Sequence, residues 1–164
     1  MHMSGRLSSF PPIADSSSEV LILGSMPGAE SLRKQQYYGH PRNHFWKLIC
    51  AVSDEQFIEN YEARTDMLLR NGVALWDVLG SCLREGSLDT NIKDEVPNDL
   101  SAFLDVHPGI DTICFNGQKA YQLFKRYFPD AAADCKCAVL PSSSPANTMP
   151  FEEKLRKWLS AFGG

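Results

Sequence analysis

The feature that most constrains the fold of this chain is a short apolar run that ends at a Gly-Pro turn. Residues 20–23 are apolar throughout, and two glycines bracket the segment 24–28 that follows them. An uninterrupted apolar strand of this length is typical of a parallel sheet covered on both faces. Open α/β sheets bind ligands at the ends of such strands. The run therefore predicts a buried strand with a ligand site at its carboxyl end.

Strand-like and helix-like patterns alternate along the rest of the chain. Further apolar runs predict strands at residues 73–78, 111–115 and 138–140. Apolar residues at helical spacing predict helices at residues 44–52, 61–69, 97–106, 118–127 and 151–161. Strands that alternate with helices form a mostly parallel sheet with helices on both faces. We therefore predict an α/β fold in three layers, α/β/α, around a central, mostly parallel four-stranded sheet, in a single domain spanning residues 1–164.

Some segments lack a regular pattern. Residues 1–18 are rich in Ser and Pro and are expected to be peripheral. Residues 80–96 are polar and predict a long loop with some local helix, and residues 53–55 resemble the cap of a further short helical segment. In the final helix, the predicted inner stripe consists of Leu155, Trp158 and Leu159.

The composition, with 43% hydrophobic and 22% charged residues, is ordinary for a globular protein. No apolar run approaches the length of a membrane span, and the N-terminal residues lack the apolar core of a signal peptide, so we expect a cytoplasmic protein with no membrane contact. Five cysteines without paired spacing indicate reduced thiols rather than a disulfide framework or a metal site.

The net charge of −4 is unexpected for a protein that binds DNA, but the charge is unevenly distributed. Residues 51–110 contain four basic and twelve acidic side chains, whereas the flanking segments are each slightly basic. We expect this acidic middle segment to lie away from the functional stretches, so that the local potential there suits a polyanion. An ordinary mixed surface is the alternative.

Three loops follow strands at what should be one edge of the sheet: residues 24–43, 116–117 and 141–147. The first of these loops combines aromatic and basic side chains, which suits a site that stacks a base and holds a phosphate backbone. The segment 24–28 lacks both the Lys-Ser/Thr of a P-loop and the third glycine of a dinucleotide motif. No Gly-x-Ser-x-Gly elbow is present either, so ATP, NAD and triad chemistry have no support.

Three motifs carry a resemblance to a known family. They are Gly-Ser-Met-Pro-Gly at 24–28, Tyr-Tyr-Gly-His-Pro-Arg-Asn-His-Phe-Trp at 37–46, and Leu-Pro-Ser-Ser-Ser-Pro-Ala-Asn at 140–147. Together they resemble the uracil-DNA glycosylase superfamily, and most closely its hypoxanthine-DNA (deoxyinosine) glycosylase branch. The resemblance implies the fold predicted above and covers most of the chain in element order.

The resemblance also implies a catalytic residue. Mismatch-specific uracil glycosylases place a water-positioning Asn where this chain has Met26, and a thioether cannot orient water usefully. In the hypoxanthine branch, that role is attributed to the Asn of His-Pro-Arg-Asn, which is Asn43 here. A neutral amide suffices if the glycosidic bond breaks largely before water attacks. The alternative is that Asn43 simply caps the helix that follows it.

The resemblance further suggests residues that bind the base. Gly24, Ser25 and Met26 would line the base site, where the small residues let the backbone approach the base and sugar. Tyr38 matches the position whose ring stacks on the flipped base, although core packing is the alternative. Asn116 would bond the base edge, unless it serves only an Asn-Gly turn.

DNA contacts are expected from the second and third motifs. Arg42 and the hydroxyls of the three serines would bind phosphate, and Pro145 and Ala146 occupy the wedge position that fills the gap left by the flipped nucleotide. The serines are Ser142, Ser143 and Ser144. Arg33 and Lys34 are expected to face the DNA as well. Without the resemblance, residues 141–147 would be interpreted as an inert surface loop.

Two further titratable residues fall within these regions. His40 would donate to the leaving purine or to a phosphate, or would serve only to hold its loop. Asp77 is the one carboxylate that the sequence places near this edge of the sheet, and a capping role is favoured over a role as a base.

The resulting functional hypothesis is a monofunctional DNA glycosylase of base excision repair that hydrolyses the N-glycosidic bond of a flipped deaminated base, hypoxanthine in the first place. The alternatives are a mismatch-specific uracil/thymine-DNA glycosylase and a catalytically silent nucleic-acid-binding α/β module. We expect no cofactor and no metal. The expected partner is double-stranded DNA with a deaminated base, bound by a monomer.

Overall fold

The computed structural model describes residues 5–162, which form seven strands and six α-helices. The strands are β1 (Leu7–Ser8), β2 (Val20–Gly24), β3 (Val73–Asp77), β4 (Leu79–Leu83), β5 (Lys93–Pro97), β6 (Thr112–Asn116) and β7 (Lys136–Leu140). The helices are α1 (Ala29–Lys34), α2 (Phe45–Val52), α3 (Tyr61–Arg70), α4 (Leu100–Asp105), α5 (Gln118–Tyr127) and α6 (Phe151–Phe162). A single 3₁₀ turn spans Asp89–Asn91.

The central sheet has four parallel strands, as predicted, and their order is β3-β2-β6-β7. In the register of β2, Gly24 lies beside Asp77 of β3, and Leu23 lies beside Phe115 of β6. At the far side, Asn116 of β6 pairs with Leu140 of β7. The four carboxyl ends therefore meet at one edge of the sheet, which is the edge that open α/β folds use for ligands.

Two hydrophobic cores, one on each face of the sheet, produce the predicted three layers. Ile22 joins the core that contains α2, α3 and α6. Its neighbours Leu21 and Leu23 join the other core, which contains α4 and α5. Successive side chains of a strand point to opposite faces, so an uninterrupted apolar strand is the expected sequence for a sheet buried on both sides.

Two of the predicted helices begin at side-chain caps, whereas α2 and α5 have no side-chain capping bond. Asn60 accepts a hydrogen bond from the Ala63 N–H (2.8 Å) at the start of α3, and Asp99 accepts one from the Ala102 N–H (3.0 Å) at the start of α4. The helix predicted at residues 118–127 has those bounds in the structure. No helix among residues 5–162 is long and apolar enough to cross a membrane.

The prediction of a long loop with some local helix at residues 80–96 holds only for residues 84–92, which contain the 3₁₀ turn. It is wrong at both ends, where β4 and β5 lie and form a second, antiparallel sheet with β1, in the order β1-β4-β5. Irregular register between β4 and β5, with shifts on either side of Ser81, breaks the alternation that identifies a strand in a sequence. This small sheet places residues 84–92 beside the edge where the central strands end.

Several shorter predictions also need correction. Helix α1 was not predicted, and the short helical segment expected after residues 53–55 is absent, since the next helix among the described residues is α3. In α6, Leu159 is 44% exposed, whereas Lys154 is fully buried beside Trp158. The segment 5–18 is not simply peripheral: Phe10 is buried and Ile13 bridges to β3, while residues 1–4 lie outside the described residues.

Candidate active site

A cavity of about 390 Å³ opens where the four central strands end. The predicted convergence of three loops at this edge is confirmed, because residues from all three line the cavity. A fourth segment, residues 87–90, lines it as well. The residues named in the sequence that line it are Gly24, Ser25, Met26, Tyr38, His40, Asn43, Asp77, Asn116, Ser142, Ser143, Ser144, Pro145 and Ala146. Its volume lies in the range of small-molecule sites and suits a single base with its sugar.

Gly24 is required by close packing at the end of β2. A Cβ atom on Gly24 would lie 2.5 Å from Oδ1 of Asp77 and 2.8 Å from Oη of Tyr38. The next two residues continue the wall of the cavity: Ser25 donates a hydrogen bond to Oδ1 of Asp89 (2.7 Å), and Met26 is buried. The absence of a side chain at Gly24 thus lets a carboxyl and a phenol approach each other over the backbone.

The Tyr38 ring packs on one face against the core, and its hydroxyl is buried without a hydrogen-bond partner among residues 5–162. Its ring stacks on the ring of Phe45 with centroids 4.1 Å apart, and its backbone φ is +53°. A left-handed backbone is uncommon for a tyrosine, and such strain is concentrated at ligand sites. The Tyr38 hydroxyl is buried and has no hydrogen-bond partner in the described part of the chain. Burial, followed by the charge of Asp77, raises the pKa of Tyr38, and the nearby Asn116 side chain opposes this increase although it lies outside normal hydrogen-bond geometry, so this hydroxyl is neutral.

Tyr37, by contrast, belongs to the core. It is buried and donates a hydrogen bond to the carbonyl of Pro11 (2.7 Å), while its own carbonyl accepts one from the Trp46 indole (2.9 Å). Tyr37 therefore supports the loop from the core, and it also lines the cavity beside Tyr38.

Asn43 combines the two interpretations that the sequence left open. Its Oδ1 accepts a hydrogen bond from the Phe45 N–H (2.9 Å), so the side chain holds the turn that leads into α2, although the N-cap position is His44, whose side chain makes no capping bond. Asn43 also lines the cavity. An amide oxygen has two acceptor sites, so the second site can orient water while the first holds the helix.

The basic residues of the first loop are mostly engaged within it. Arg33 forms an ion pair with Glu30 (2.8 Å), and Lys34 donates to the carbonyl of Gly39 (2.7 Å). His40 accepts the Arg42 N–H at Nδ1 (3.0 Å), so in the neutral ring Nε2 carries the proton. The Arg42 residue is exposed and lies outside the cavity lining.

Asn116 braces the third loop. It donates to the Ser143 hydroxyl and accepts from the Ser143 N–H, both at 2.9 Å. The turn interpretation also holds, since Gly117 has a φ of +101°. Ser143 is fully buried, so its hydroxyl is unavailable to a phosphate in this conformation and instead fixes the loop to β6. The Ser143 carbonyl accepts the His44 N–H (3.0 Å), which ties this loop to the start of α2.

The other two serines keep a free donor. The Ser142 hydroxyl accepts the Ser144 N–H (3.1 Å), and the Ser144 hydroxyl accepts the Ala146 N–H (3.1 Å). Because both oxygens act as acceptors here, their O–H groups remain available for an anion. Beneath them, the buried Lys154 donates to the carbonyl of Ser144 (3.3 Å), and burial lowers its pKa. This lysine is a positive charge under the loop that the sequence did not reveal.

Asp77 is a buried carboxyl without a partner. It is 3% exposed, and its Oδ2 makes no hydrogen bond to any described residue. The favoured capping role is wrong, because β3 leads directly into β4 and the Asp77 side chain caps no helix. Burial raises the pKa of Asp77 to about 7, with a further increase from Asp89 that Arg84 opposes. A carboxyl in this state exchanges a proton near neutral pH.

The cavity contains functional residues that the sequence alone did not identify. Ser87, Leu88, Asp89 and Thr90 line it, and the Ser87 hydroxyl accepts the Ala29 N–H (2.8 Å). The expectation that the acidic middle segment lies away from the site is therefore wrong. The run Gly-Ser-Leu-Asp-Thr at residues 86–90 does indicate a turn, because a glycine precedes residues that often cap helices. It does not indicate that strands flank this turn and carry it to the cavity. Among residues 5–162, no group of His, Cys, Asp or Glu side chains could hold a metal ion.

Comparisons with known proteins agree with this geometry. The family model of the Uracil DNA glycosylase superfamily matches residues 11–162. A Methanosarcina barkeri protein named Hypoxanthine DNA glycosylase is 42% identical over 156 residues, which cover 93% of this chain and 96% of that protein. A Methanosarcina acetivorans protein of the same name is 41% identical over 154 residues, with the same coverage.

A solved structure resembles the fold as well. The solution NMR structure of a Methanosarcina acetivorans protein, described provisionally as a uracil DNA glycosylase, superimposes with a TM-score of 0.83. It is 40% identical in sequence, and the match covers 96% of this chain and 97% of that one. With its parallel sheet, the cavity at the sheet edge and a family match over nearly its whole length, this chain belongs to the uracil DNA glycosylase superfamily.

Proposed function

We propose that this protein excises hypoxanthine from DNA that contains deoxyinosine, by hydrolysing the N-glycosidic bond of the flipped nucleotide. The observation that carries the proposal is the 42% identity, over 93% of the chain, to a protein named Hypoxanthine DNA glycosylase. The cavity supports it, since it has the volume for a base and ends in polar groups without partners.

The base enters the cavity at the sheet edge. The ring face of Tyr38 opposite Phe45 stacks on the purine, while Gly24, Ser25 and Met26 form the wall beside it. Stacking of a base on an aromatic ring contributes about 1–3 kcal/mol. Asn116 lines the same cavity and retains one N–H beyond its two bonds to Ser143, which can reach the base edge.

Asn43 positions the attacking water. Its side-chain oxygen holds α2 through the Phe45 N–H and accepts a water proton at its second site. Once the glycosidic bond has largely broken, the sugar carries an oxocarbenium-like centre that needs an oriented water rather than a strong base. Met26, which occupies the position of the water-positioning Asn in mismatch-specific enzymes, contributes only apolar wall.

The DNA backbone is held at the opposite side of the cavity. The free O–H groups of Ser142 and Ser144 donate to phosphate, with the charge of Lys154 beneath them and Arg42 nearby on the exposed surface. Pro145 and Ala146 fill the gap in the duplex, while Ser143 fixes the loop through Asn116. We also propose that the chain acts as a single-domain monomer in the cytoplasm.

The experiment is an assay for abasic sites on labelled duplexes that contain inosine, uracil or xanthine, with an undamaged duplex as the control. We expect alkali-labile sites at inosine, at the same rate with and without EDTA. Robust release of uracil without release of hypoxanthine would instead identify a uracil glycosylase. Tight binding to the inosine duplex with no abasic product would identify a catalytically silent binding module. Activity that EDTA abolished and a divalent ion restored would contradict the absence of a metal.

A further inference from the structure

Asp77 is the buried ionisable group in the cavity that the water-positioning mechanism leaves without a role. It ends β3, lines the cavity and is 3% exposed, and its Oδ2 has no hydrogen-bond partner among residues 5–162. Buried polar atoms are almost always paired, so an unpaired carboxyl oxygen beside a ligand cavity calls for an explanation, of which a catalytic role is one. The Tyr38 hydroxyl beside it is unpaired as well.

The packing around Gly24 fixes where this carboxyl can act. The space that a Cβ on Gly24 would take lies 2.5 Å from Asp77 Oδ1 and 2.8 Å from Tyr38 Oη, so the two groups flank one point at the end of β2. Strands β3 and β7 are the two outer strands of the central sheet. The point beside Asp77 therefore lies on the side of the cavity proposed to receive the base, and the serine-containing loop after β7 lies on the other side. Asp77 therefore faces the base rather than the DNA backbone.

We propose that Asp77 is the general acid of the reaction and donates its proton to N7 of the departing hypoxanthine. The inference rests on the proposed function and adds a catalytic residue to it. N7 is the most basic ring nitrogen of a 6-oxopurine and is free of the sugar, so its protonation withdraws electrons from the glycosidic bond. A pyrimidine such as uracil has no equivalent nitrogen.

The charged and titratable groups around Asp77 suit an acid that is protonated near neutral pH. Asp89 disfavours the carboxylate and Arg84 favours it, while burial disfavours it most. Tyr37 and Tyr38 are the phenols beside it, and burial keeps both neutral by raising their pKa. Arg84 donates from Nη2 to the carbonyl of Pro27 (2.7 Å) and from Nε to that of Gly86 (2.8 Å), while its buried Nη1 has no partner among the described residues and acts on Asp77 only through its charge.

The step balances as follows. The bond between C1′ and N9 breaks, and its electron pair stays on the base. The Asp77 proton forms the N7–H bond, so hypoxanthine leaves as a neutral molecule and Asp77 becomes a carboxylate. The oxygen of the water held by Asn43 bonds to C1′ and releases a proton, which restores the acid form of Asp77. The net reaction consumes one water molecule and needs no oxidant, reductant or co-reactant.

The test is the pH dependence of single-turnover excision from an inosine duplex, measured from about pH 5.5 to 9. A general acid works only when protonated, so the wild-type rate should fall above its pKa, with a midpoint near 7. Asp77→Asn should lower the rate at pH 6 by about a hundredfold or more and remove the fall at higher pH. Asp105→Asn, at an exposed carboxylate that ends α4, is the matched control and should leave both the rate and the profile unchanged.

Three results would overturn the proposal. The first is a wild-type rate that is constant or rises from pH 6 to 9, a result that does not depend on any variant folding. The second is an Asp77→Asn protein that keeps the wild-type rate at pH 6. His40 also lines the cavity, so a fall with pH that disappears in His40→Gln and persists in Asp77→Asn would assign the titration to His40 instead and reject Asp77. Failure of the proposed function is distinct, since no abasic site would then form at inosine at any pH.

Discussion

The two outer strands of the central sheet end in opposite chemistry. At the end of β3, an acidic wall consists of Asp77, Asp89 and the hydroxyl of Tyr38. After β7, a serine loop, residues 141–147, has free O–H groups on Ser142 and Ser144, and the buried Lys154 donates to the Ser144 carbonyl. The cavity lies between them, so a nucleotide placed in it has an acidic group on one side and hydroxyls over a positive charge on the other.

The two regions also differ in how their polar groups are paired. In the serine loop, Ser143 bonds Asn116 twice, and Ser142 and Ser144 accept backbone N–H groups, so the loop has a fixed shape before DNA arrives. In the acidic wall, Oδ2 of Asp77 and the Tyr38 hydroxyl are buried and unpaired within the described residues. Paired groups provide a rigid surface for a phosphate, whereas unpaired ones are kept for a ligand that supplies the missing partner.

The largest effect is expected at Asn43, which lines the same cavity. Asn43→Ala should reduce single-turnover excision by about 10²–10⁴-fold and leave binding of the inosine duplex nearly intact, because only the oriented water is lost. Asn43→Ser separates this role from the cap on α2, since serine still caps a helix but holds the water poorly. Normal excision by a destabilised Asn43→Ala protein would leave Asn43 as a helix cap only.

The next effect is on stability, and it concerns the acidic wall. The pKa of Asp77 is higher in the folded protein than the reference value of 3.8. The folded state is therefore most stable at acid pH and becomes less stable as the pH rises to about 7. The loss has an upper limit of about 4 kcal/mol. Asp77→Asn should remove this loss of stability, so the difference in melting temperature between the variant and the wild type should shift in favour of the variant from about pH 4 to pH 8. A melting difference that does not change with pH would contradict a buried, titrating Asp77.

A smaller effect is expected from Gly24→Ala, which inserts a methyl group between Asp77 and Tyr38. Overpacking of this kind destabilises by about 1–3 kcal/mol, and we expect a matching loss of excision because the acidic wall must move. Gly28→Ala is the matched control, since its Cβ would lie 3.4 Å from the Ser87 hydroxyl and needs no rearrangement. Thermal melting and single-turnover rates measure both, and equal behaviour of the two variants would show that the close approach at Gly24 is unimportant.

The smallest effect is expected at Lys154. Lys154→Met keeps the volume but removes the buried charge, so melting should stay the same or improve while duplex affinity falls by about three- to tenfold. The same substitution should also make the salt dependence of duplex binding shallower. Lys157→Met, at an exposed position of α6, is the control for loss of one positive charge on this helix. Equal losses of affinity in both variants would show that the position beneath the serine loop has no special role.

The central sheet could be predicted because its sequence pattern is local. The apolar runs of β2, β3 and β6 stand between turn residues, and α5 was predicted with its observed bounds. Strands β4 and β5 could not be predicted, since their irregular register removes the alternation and their pairing with β1 depends on contacts far along the chain.

The site was predictable on one side only. Many motif residues of the serine loop and the first loop line the cavity, because their positions follow from strands that end at one edge, whereas Arg33, Lys34 and Arg42 lie outside its lining. Asp89 and the unpaired state of Asp77 depend on the small antiparallel sheet, which carries residues 84–92 to the cavity. Burial of Lys154 was equally hidden, since a lysine on an amphipathic helix ordinarily lies in solvent.

The division of labour between the two regions is tested most directly by single-turnover excision of hypoxanthine over a range of duplex concentrations. This one titration yields a maximal rate and a half-saturating concentration. For Asp77→Asn, we predict a maximal rate lower by about a hundredfold and a half-saturating concentration within about threefold of the wild type. For the double variant Ser142→Ala, Ser144→Ala, the half-saturating concentration should rise by at least about fivefold, with a smaller change in the maximal rate. The opposite pattern, with Asp77→Asn impaired in binding and the serine double variant impaired in maximal rate, would contradict this division of labour.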